Sequence, residues 1–387
     1  MGIRLSQVRL FSGGLCAGLS LLTVVDAPVY ALWLVELGIT EWGHWLAVLS
    51  LLLWLPGWRD FRSGRIGAWL GLTAALLSAA PLVRALDLAR VLPDDLPPLV
   101  RDAAPRSTAE ASPRAAPLVL SDLLIGVDVP DVTRRSVVYA TKGDRRLTLD
   151  LYQPAGARLA PGVVVVHGGS WQHGDRAELV TLNRYLAARG YVVASVGYRF
   201  APQWPFPAAR DDVRDAVAFL KAHAMEYGFD AQRLVLAGRS AGGQLALLVA
   251  YTTPDPAIRG VVSFYAPADM KYGYEHPSNP WVLDSHAVLE AYLGGNPSQV
   301  PAVYEAASPI KFVTADTVPT LLVHGGRDEL VFPAQSERLA ARLVQAQRPH
   351  YVLRLPWATH GCDVNFSGPC GQISTYVVER FLAAVTR

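Results

Sequence analysis

The stretch "PGVVVVHGG" (161–169) admits few folds. A continuous β-branched run ending in glycines suits a strand buried on both faces, and such strands belong to parallel sheets covered by helices. The neighbouring sequence agrees. "RRSVVYA" and "RRLTLDLYQP" are β-rich runs separated by "TKGD", a hairpin signal. After the valine run come an amphipathic helix over 176–189, a strand in "YVVASVGY", and a helix in "PAARDDVRDAVAFLKAHAMEYG", where Val213, Val217 and Leu220 recur at helical spacing. Strand 233–238, helix 241–251, strand 260–267, an irregular stretch, strand 319–326, helix 334–347, strand 351–356 and helix 372–385 complete the series. Strands alternating with helices predict an α/β protein with a mostly parallel central sheet. Ligands in such folds bind beyond the carboxyl ends of the strands, so the residues just after strands carry the chemistry.

Three polar residues stand there. Ser240 lies in "GRSAGG", between strand 233–238 and helix 241–251, and matches G-x-S-x-G with Gly238 and Gly242. This pattern puts a serine on a sharp strand-to-helix turn where bulky neighbours would clash, and the helix N-terminus beyond it favours negative charge. The bland alternative is a Gly-rich turn with a solvated serine. Asp328 follows strand 319–326 in "HGGRDELVF", and His360 follows strand 351–356 in "ATHGC". Singly, each is as readily a turn aspartate or a packed histidine. In the order Ser, Asp, His, each after a strand, they point to a triad: His360 takes the serine proton and Asp328 holds the imidazole. Glu329 competes with Asp328 for the acid role. In "HGGSW" (167–171), the backbone N–H of Gly168 or Gly169, with that of Ala241, is expected to face a developing oxyanion. His167 reads as structural. Trp171, Trp204 and Trp357 are candidates for lining the substrate pocket, with packing in the core as the alternative for each.

With these residues in place, the chain resembles the α/β-hydrolase superfamily, in particular its esterase/lipase branch, over roughly 131–387. "YRFAPQWPFPAARDDVRDAVAFL" and "RLVLAGRSAGGQLALL" look like hormone-sensitive-lipase-type and related bacterial carboxylesterases. That branch usually carries H-G-G-G, whereas this chain has "HGGSW", an H-G-G-x-W motif characteristic of kynurenine formamidase-like members. "HGGRDELV" is more similar to the acetyl-esterase and prolyl-oligopeptidase-type pattern. The resemblance implies an α/β-hydrolase fold and a small-molecule ester substrate, with no cofactor.

The first third of the chain has a different character. Only 18% of the 387 residues are charged and the mean hydropathy is +0.22, high for a soluble protein. The excess lies in three runs, 11–38, 42–58 and 66–83, before residue 92. About 17–20 apolar helical residues cross a bilayer, so three transmembrane helices are expected. Trp42, Trp45, Trp54 and Trp58 bracket the second run as interfacial anchors would. A signal peptide would account for the first run only. Arg4 and Arg9 precede the first run, "ELGITE" (36–41) is expected as the loop joining the first and second spans, without Lys or Arg, and "RDFRSGR" (59–65), joining the second and third, holds three arginines. The positive-inside rule then leaves everything after residue 84 outside the cytoplasm. An Arg bias, with four lysines among 35 basic residues, hints at a GC-rich bacterial genome and hence at a bacterial inner membrane with a periplasmic catalytic domain. Residues 93–130, rich in Pro and Ala, read as an extended, partly disordered linker. The expected organisation is therefore an anchor (1–92), a linker (93–130) and a catalytic domain (131–387).

A net charge of +2 gives no preference for nucleic acid. The nine histidines show no metal-ligand spacing with a nearby carboxylate, and the glycine groups lack the Walker lysine and the Rossmann spacing. Cys362 and Cys370 flank a short loop just after His360. A metal site and a thiol nucleophile are the alternatives, but His360 and Ser240 are already engaged. With the domain outside the cytoplasm, a disulfide between them is expected. The function these features predict is a membrane-anchored serine hydrolase of carboxylic esters with short acyl chains. The alternatives are an amide hydrolase, arylformamidase-like or a peptidase, and a non-catalytic binding protein on the same fold.

Overall fold

A computed structural model describes residues 2–57, 59, 61–154, 156, 159–253 and 255–387. Trp58, one of the expected interfacial aromatics, lies outside the described residues.

Eight strands form one sheet in the order β1-β2-β4-β3-β5-β6-β7-β8. They are β1 (Thr133–Lys142), β2 (Arg145–Gln153), β3 (Ala160–Val166), β4 (Val192–Val196), β5 (Phe229–Arg239), β6 (Ile258–Phe264), β7 (Thr320–Gly325) and β8 (His350–Leu355). The β1–β2 hairpin and the β2–β4 pairing are antiparallel; the other pairings are parallel. Val163, Val164, Val165 and Val166 are all buried, as a strand covered on both faces requires.

The helices of nine or more residues are α1 (Gly2–Ser20), α2 (Tyr30–Leu51), α3 (Arg62–Asp95), α4 (Val180–Ala188), α5 (Ala208–Ala222), α6 (Ala241–Thr252), α7 (Ser285–Leu293), α8 (Ala334–Gln345) and α9 (Pro369–Val385). The region between β6 and β7, read from sequence as irregular, holds α7 and the short helices Met270–Glu275 and Pro301–Ala306. This excursion lies over the carboxyl ends of the strands and forms part of a cavity roof.

Three helical segments, Arg4–Thr23, Tyr30–Trp54 and Arg62–Asp95, are long and apolar enough to cross a membrane. Their borders differ from expectation. The chain breaks at residues 24–29, around Asp26 and Pro28, and "ELGITE" lies in mid-α2 instead of in a loop. Two glutamates can occupy an apolar helix here because both are buried against partners. Glu36 forms an ion pair with Arg327 (3.2 Å), and Glu41 Oε2 accepts from the Cys370 backbone N–H (3.1 Å). The helices pack through small residues. A Cβ on Gly67 would lie 2.5 Å from the Arg9 carbonyl, and the Ser20 and Ser78 hydroxyls are 2.7 Å apart.

The Pro/Ala-rich segment also departs from expectation. α3 runs on to Asp95, short helices cover Pro98–Arg101 and Leu120–Ile125, and the chain between them is strapped to the sheet domain. The Arg114 N–H donates to Glu379 (3.0 Å), the Val119 N–H to Gln372 (2.8 Å), and the Thr108 hydroxyl to the Ala188 carbonyl (2.8 Å). Its partners are polar groups more than 70 residues away in sequence, which no local composition reveals.

Candidate active site

The elbow at Ser240 is shaped by what its neighbours lack. Ser240 has φ 51° and ψ −123°, a conformation costly for a residue with a Cβ, held between the end of β5 and the start of α6. A Cβ on Gly242 would lie 2.2 Å from the His167 carbonyl, and one on Gly238 2.2 Å from the Gly242 carbonyl. Only hydrogen fits at either position, so the β5–α6 turn can be tight enough to lift the hydroxyl above the strand ends.

His360 follows β8 and Asp328 follows β7, and the parallel pairing of these strands brings their loops together. The Ser240 hydroxyl donates to His360 Nε2 (2.9 Å) and His360 Nδ1–H donates to Asp328 Oδ2 (2.7 Å). The other Asp328 oxygen accepts the backbone N–H groups of Leu330 (3.0 Å) and Val331 (2.9 Å). Burial alone would raise the Asp328 pKa. His360 and His324, the latter 3.2 Å from Oδ2, outweigh it and hold the carboxyl at about 2. Asp328 is thus ionised at neutral pH. Glu329 makes no bond to His360, and burial and the nearby Asp26 push its pKa up to about 7.

The "HGGSW" loop passes beside the elbow. A Cβ on Gly168 would stand 3.2 Å from the Arg239 carbonyl and 3.4 Å from Ser240 Cβ, so this backbone runs close against the serine turn. Among the described residues, none accepts from the N–H groups of Gly168, Gly169 or Ala241. These donors are free for a ligand oxygen. His167 is turned to a structural role, with Nδ1 2.7 Å from the Gly168 carbonyl, its ring stacked on Tyr198 at 4.4 Å, and burial lowering its pKa to about 4.

A cavity of about 390 Å³ opens above Ser240 and His360. Of the three tryptophans expected there, only Trp171 lines it; it stacks on Tyr292 at 4.2 Å and its indole N–H donates to Gln244. Trp204 is half-buried under Arg145, and Trp357 is sealed in the core beneath β7 and β8. Both are corrections, because neither strand-end position nor residue type tells which way an indole points.

The structure adds residues the sequence did not flag. Arg239, next to Ser240, is buried in an ion pair with Asp363, which also accepts from the Tyr265 hydroxyl. Asp363 is three residues after His360, so this network ties the serine elbow to the histidine loop. The Cys362–Cys370 disulfide, already expected from the sequence, closes the same loop, with Cα atoms 5.7 Å apart. An arginine inside G-x-S-x-G and an aspartate soon after the histidine were the available signals. Tyr30 and Trp33 of α2 also line the cavity, and nothing in sequence links them to a serine over 200 residues away.

The BD-FAE family matches residues 149–343, which include Ser240 and Asp328; His360 and α1–α3 lie outside the match. Esterase LipC of Mycobacterium tuberculosis is 32% identical over 272 residues, 66% of this chain and 66% of the relative. The probable carboxylic ester hydrolase LipM of the same organism is 30% identical over 256 residues, 62% of this chain and 57% of the relative. Each match spans less than two thirds of the relative's own length. Among solved structures, an esterase from Pyrobaculum calidifontis superposes with a TM-score of 0.58 at 23% identity, over 66% of this chain and 86% of that one, which shows the fold. The chain belongs to the BD-FAE family, within the esterase/lipase group of the α/β-hydrolases.

Proposed function

We propose that this protein is a membrane-anchored serine hydrolase that cleaves carboxylic esters of short acyl chains. The observation that carries the proposal is the hydrogen-bonded series Ser240–His360–Asp328 beneath a cavity flanked by free backbone N–H groups. Ser240 Oγ attacks the ester carbonyl while His360 Nε2 takes its proton, and ionised Asp328 stabilises the imidazolium. The oxyanion accepts from Ala241 and from Gly168 or Gly169. His360 then protonates the leaving alcohol, and a water activated by the same nitrogen hydrolyses the acyl-enzyme. The relatives' names, esterase and carboxylic ester hydrolase, favour an ester over an amide.

The test is Ser240→Ala. Hydrolysis of 4-nitrophenyl acetate and labelling by a fluorophosphonate probe should both be lost; wild-type rates in the variant would sink the proposal. The "HGGSW" motif favours a second reading, an amide hydrolase of arylformamidase type, which the same machinery serves. Kinetics on formyl-kynurenine, aminoacyl anilides and short esters, side by side, decide between them.

The catalytic domain is proposed to face the periplasm of a bacterial inner membrane. Two features support this. The α1–α2 connection, 24–29, has no Lys or Arg, whereas Arg59 shortly precedes α3 and Arg62 and Arg65 stand in its first turn. A disulfide between Cys362 and Cys370 suits an oxidising compartment. Mass spectrometry that found both thiols free in protein from native membranes would overturn this placement.

A further inference from the structure

We infer that α2 is part of the substrate site, that Tyr30 and Trp33 are specificity-determining residues, and that the ester cleaved is an amphiphile dissolved in the membrane. The inference rests on the hydrolase reading above and names its substrate class.

Tyr30 and Trp33 line the same cavity as Ser240 and His360. They stack on each other at 5.5 Å in the first turn of a helix long and apolar enough to span a bilayer. Trp33 is buried in one apolar cluster with Leu22, Ala27 and Leu37 of the helical region and with Val282 and Leu330. Val282 and Leu330 are themselves cavity-lining residues of the sheet domain. The wall is thus one continuous apolar surface built from both parts of the chain.

Polar contacts hold α2 in this place. The Tyr30 N–H donates to the Trp281 carbonyl (3.0 Å) and Asn279 Nδ2 to the Pro28 carbonyl (3.0 Å). Arg327, the residue before Asp328, donates to the Leu22 carbonyl (2.8 Å) and pairs with Glu36 (3.2 Å). The helix end is therefore fixed against the loop that carries the acid of the triad.

The surface where the helices meet the cavity carries exposed apolar side chains around one charged residue, Asp26, which faces Arg327 (3.4 Å). Leu21, Val24, Val25 and Val29 are exposed, and Trp281, hydrogen-bonded to Tyr30, is 77% exposed. Exposed aromatics joined to the end of an apolar helix are what a membrane–water interface selects. A site whose wall is the end of a membrane helix is entered from the plane of the bilayer. A substrate dissolved there pays no cost of leaving the lipid, and its apolar part lies against Trp33 and Tyr30. A water-soluble ester of the same acyl group makes no use of that wall.

The experiment uses the full chain in phosphatidylcholine vesicles and follows acid release from three esters. Ethyl acetate is the soluble reference; hexadecyl acetate and ethyl hexadecanoate carry a long chain on the alcohol and acyl sides. Trp33→Ala should lower kcat/KM for at least one long ester, relative to ethyl acetate, by about tenfold or more, the loss of a buried aromatic contact. Trp33→Phe should recover most of that ratio, and Tyr30→Ala should lower it in the same direction, which guards against misfolding of a single variant. Ratios unchanged in both alanine variants, whether the rates fall together or not at all, would overturn the inference and leave the hydrolase reading standing. Wild-type protein that cleaves none of the three esters would overturn both.

Discussion

The two parts of this molecule differ in where they keep their large apolar side chains. In the sheet domain large apolar side chains are sealed: Leu149, Leu151, Val164, Leu236 and Leu322 are at most 1% exposed. In α1–α3, Leu5, Val8, Phe11, Leu15, Trp69 and Leu76 are exposed, while Ser20, Ser78, Glu36 and Glu41 are buried. A fold surrounded by water hides carbon, because apolar burial drives it. On the proposed membrane reading, α1–α3 would gain nothing from hiding carbon, and their polar groups would be held inside the bundle. The seam between the parts is correspondingly polar at its edges, at Arg327–Glu36 and Cys370–Glu41, and apolar around Trp33.

Four changes test this contrast. The largest effect is expected on the chemistry of the sheet domain. Asp328→Asn would leave His360 in the wrong tautomer, and kcat for a short ester should fall about 10⁴-fold; a loss under tenfold would remove Asp328 from the triad. Next comes the seam. Arg327→Ala strands Glu36 in a buried site, and thermal unfolding in vesicles or nanodiscs should show a loss of about 3–5 kcal/mol. The double variant Arg327→Met/Glu36→Leu should recover most of it; an unaltered Tm in the single variant would mean that this pair does not join the two parts.

The third effect concerns pH. Asp328 has a folded pKa of about 2 against an ordinary 3.8. Because the folded value is depressed, its contribution of about 2 kcal/mol is complete above pH 5 and is lost as pH falls from about 4 towards 2. Unfolding midpoints in urea across that range should converge for wild type and Asp328→Asn at the acid end; parallel curves would contradict this. The smallest effect tests packing within the helices. Gly67→Ala forces a Cβ to 2.5 Å from the Arg9 backbone and should cost about 1–3 kcal/mol, whereas Gly14→Ala, with nothing within 4 Å, should cost none. Equal effects would mean that α1 and α3 are not in close contact.

How much of this was legible differs between the parts for a physical reason. The β5–Ser240–α6 turn is local: one strand, two glycines and a helix specify it, so "GRSAGG" could be read directly. Asp328 and His360 were legible because parallel strands place their carboxyl ends on one edge, whatever the loops do. Trp204 and Trp357 were not, because the direction of a side chain depends on packing that no pattern of neighbours encodes. "ELGITE" was misread for a related reason. Two glutamates in an apolar run look like a loop until their partners, Arg327 and the Cys370 N–H, are known.

The amino-acid sequence alone therefore determined the alternation of strands and helices, the order of Ser240, Asp328 and His360 along the chain, and the presence of three apolar helical segments. Hydrophobic periodicity and turn chemistry act over a few residues and leave a readable trace. The tertiary structure alone decided which indoles meet the cavity, how the Pro/Ala-rich segment is strapped down, and that Tyr30 and Trp33 complete a site over 200 residues away in the chain. Such contacts are chosen by shape and partner across space, and the chain records them nowhere along its length.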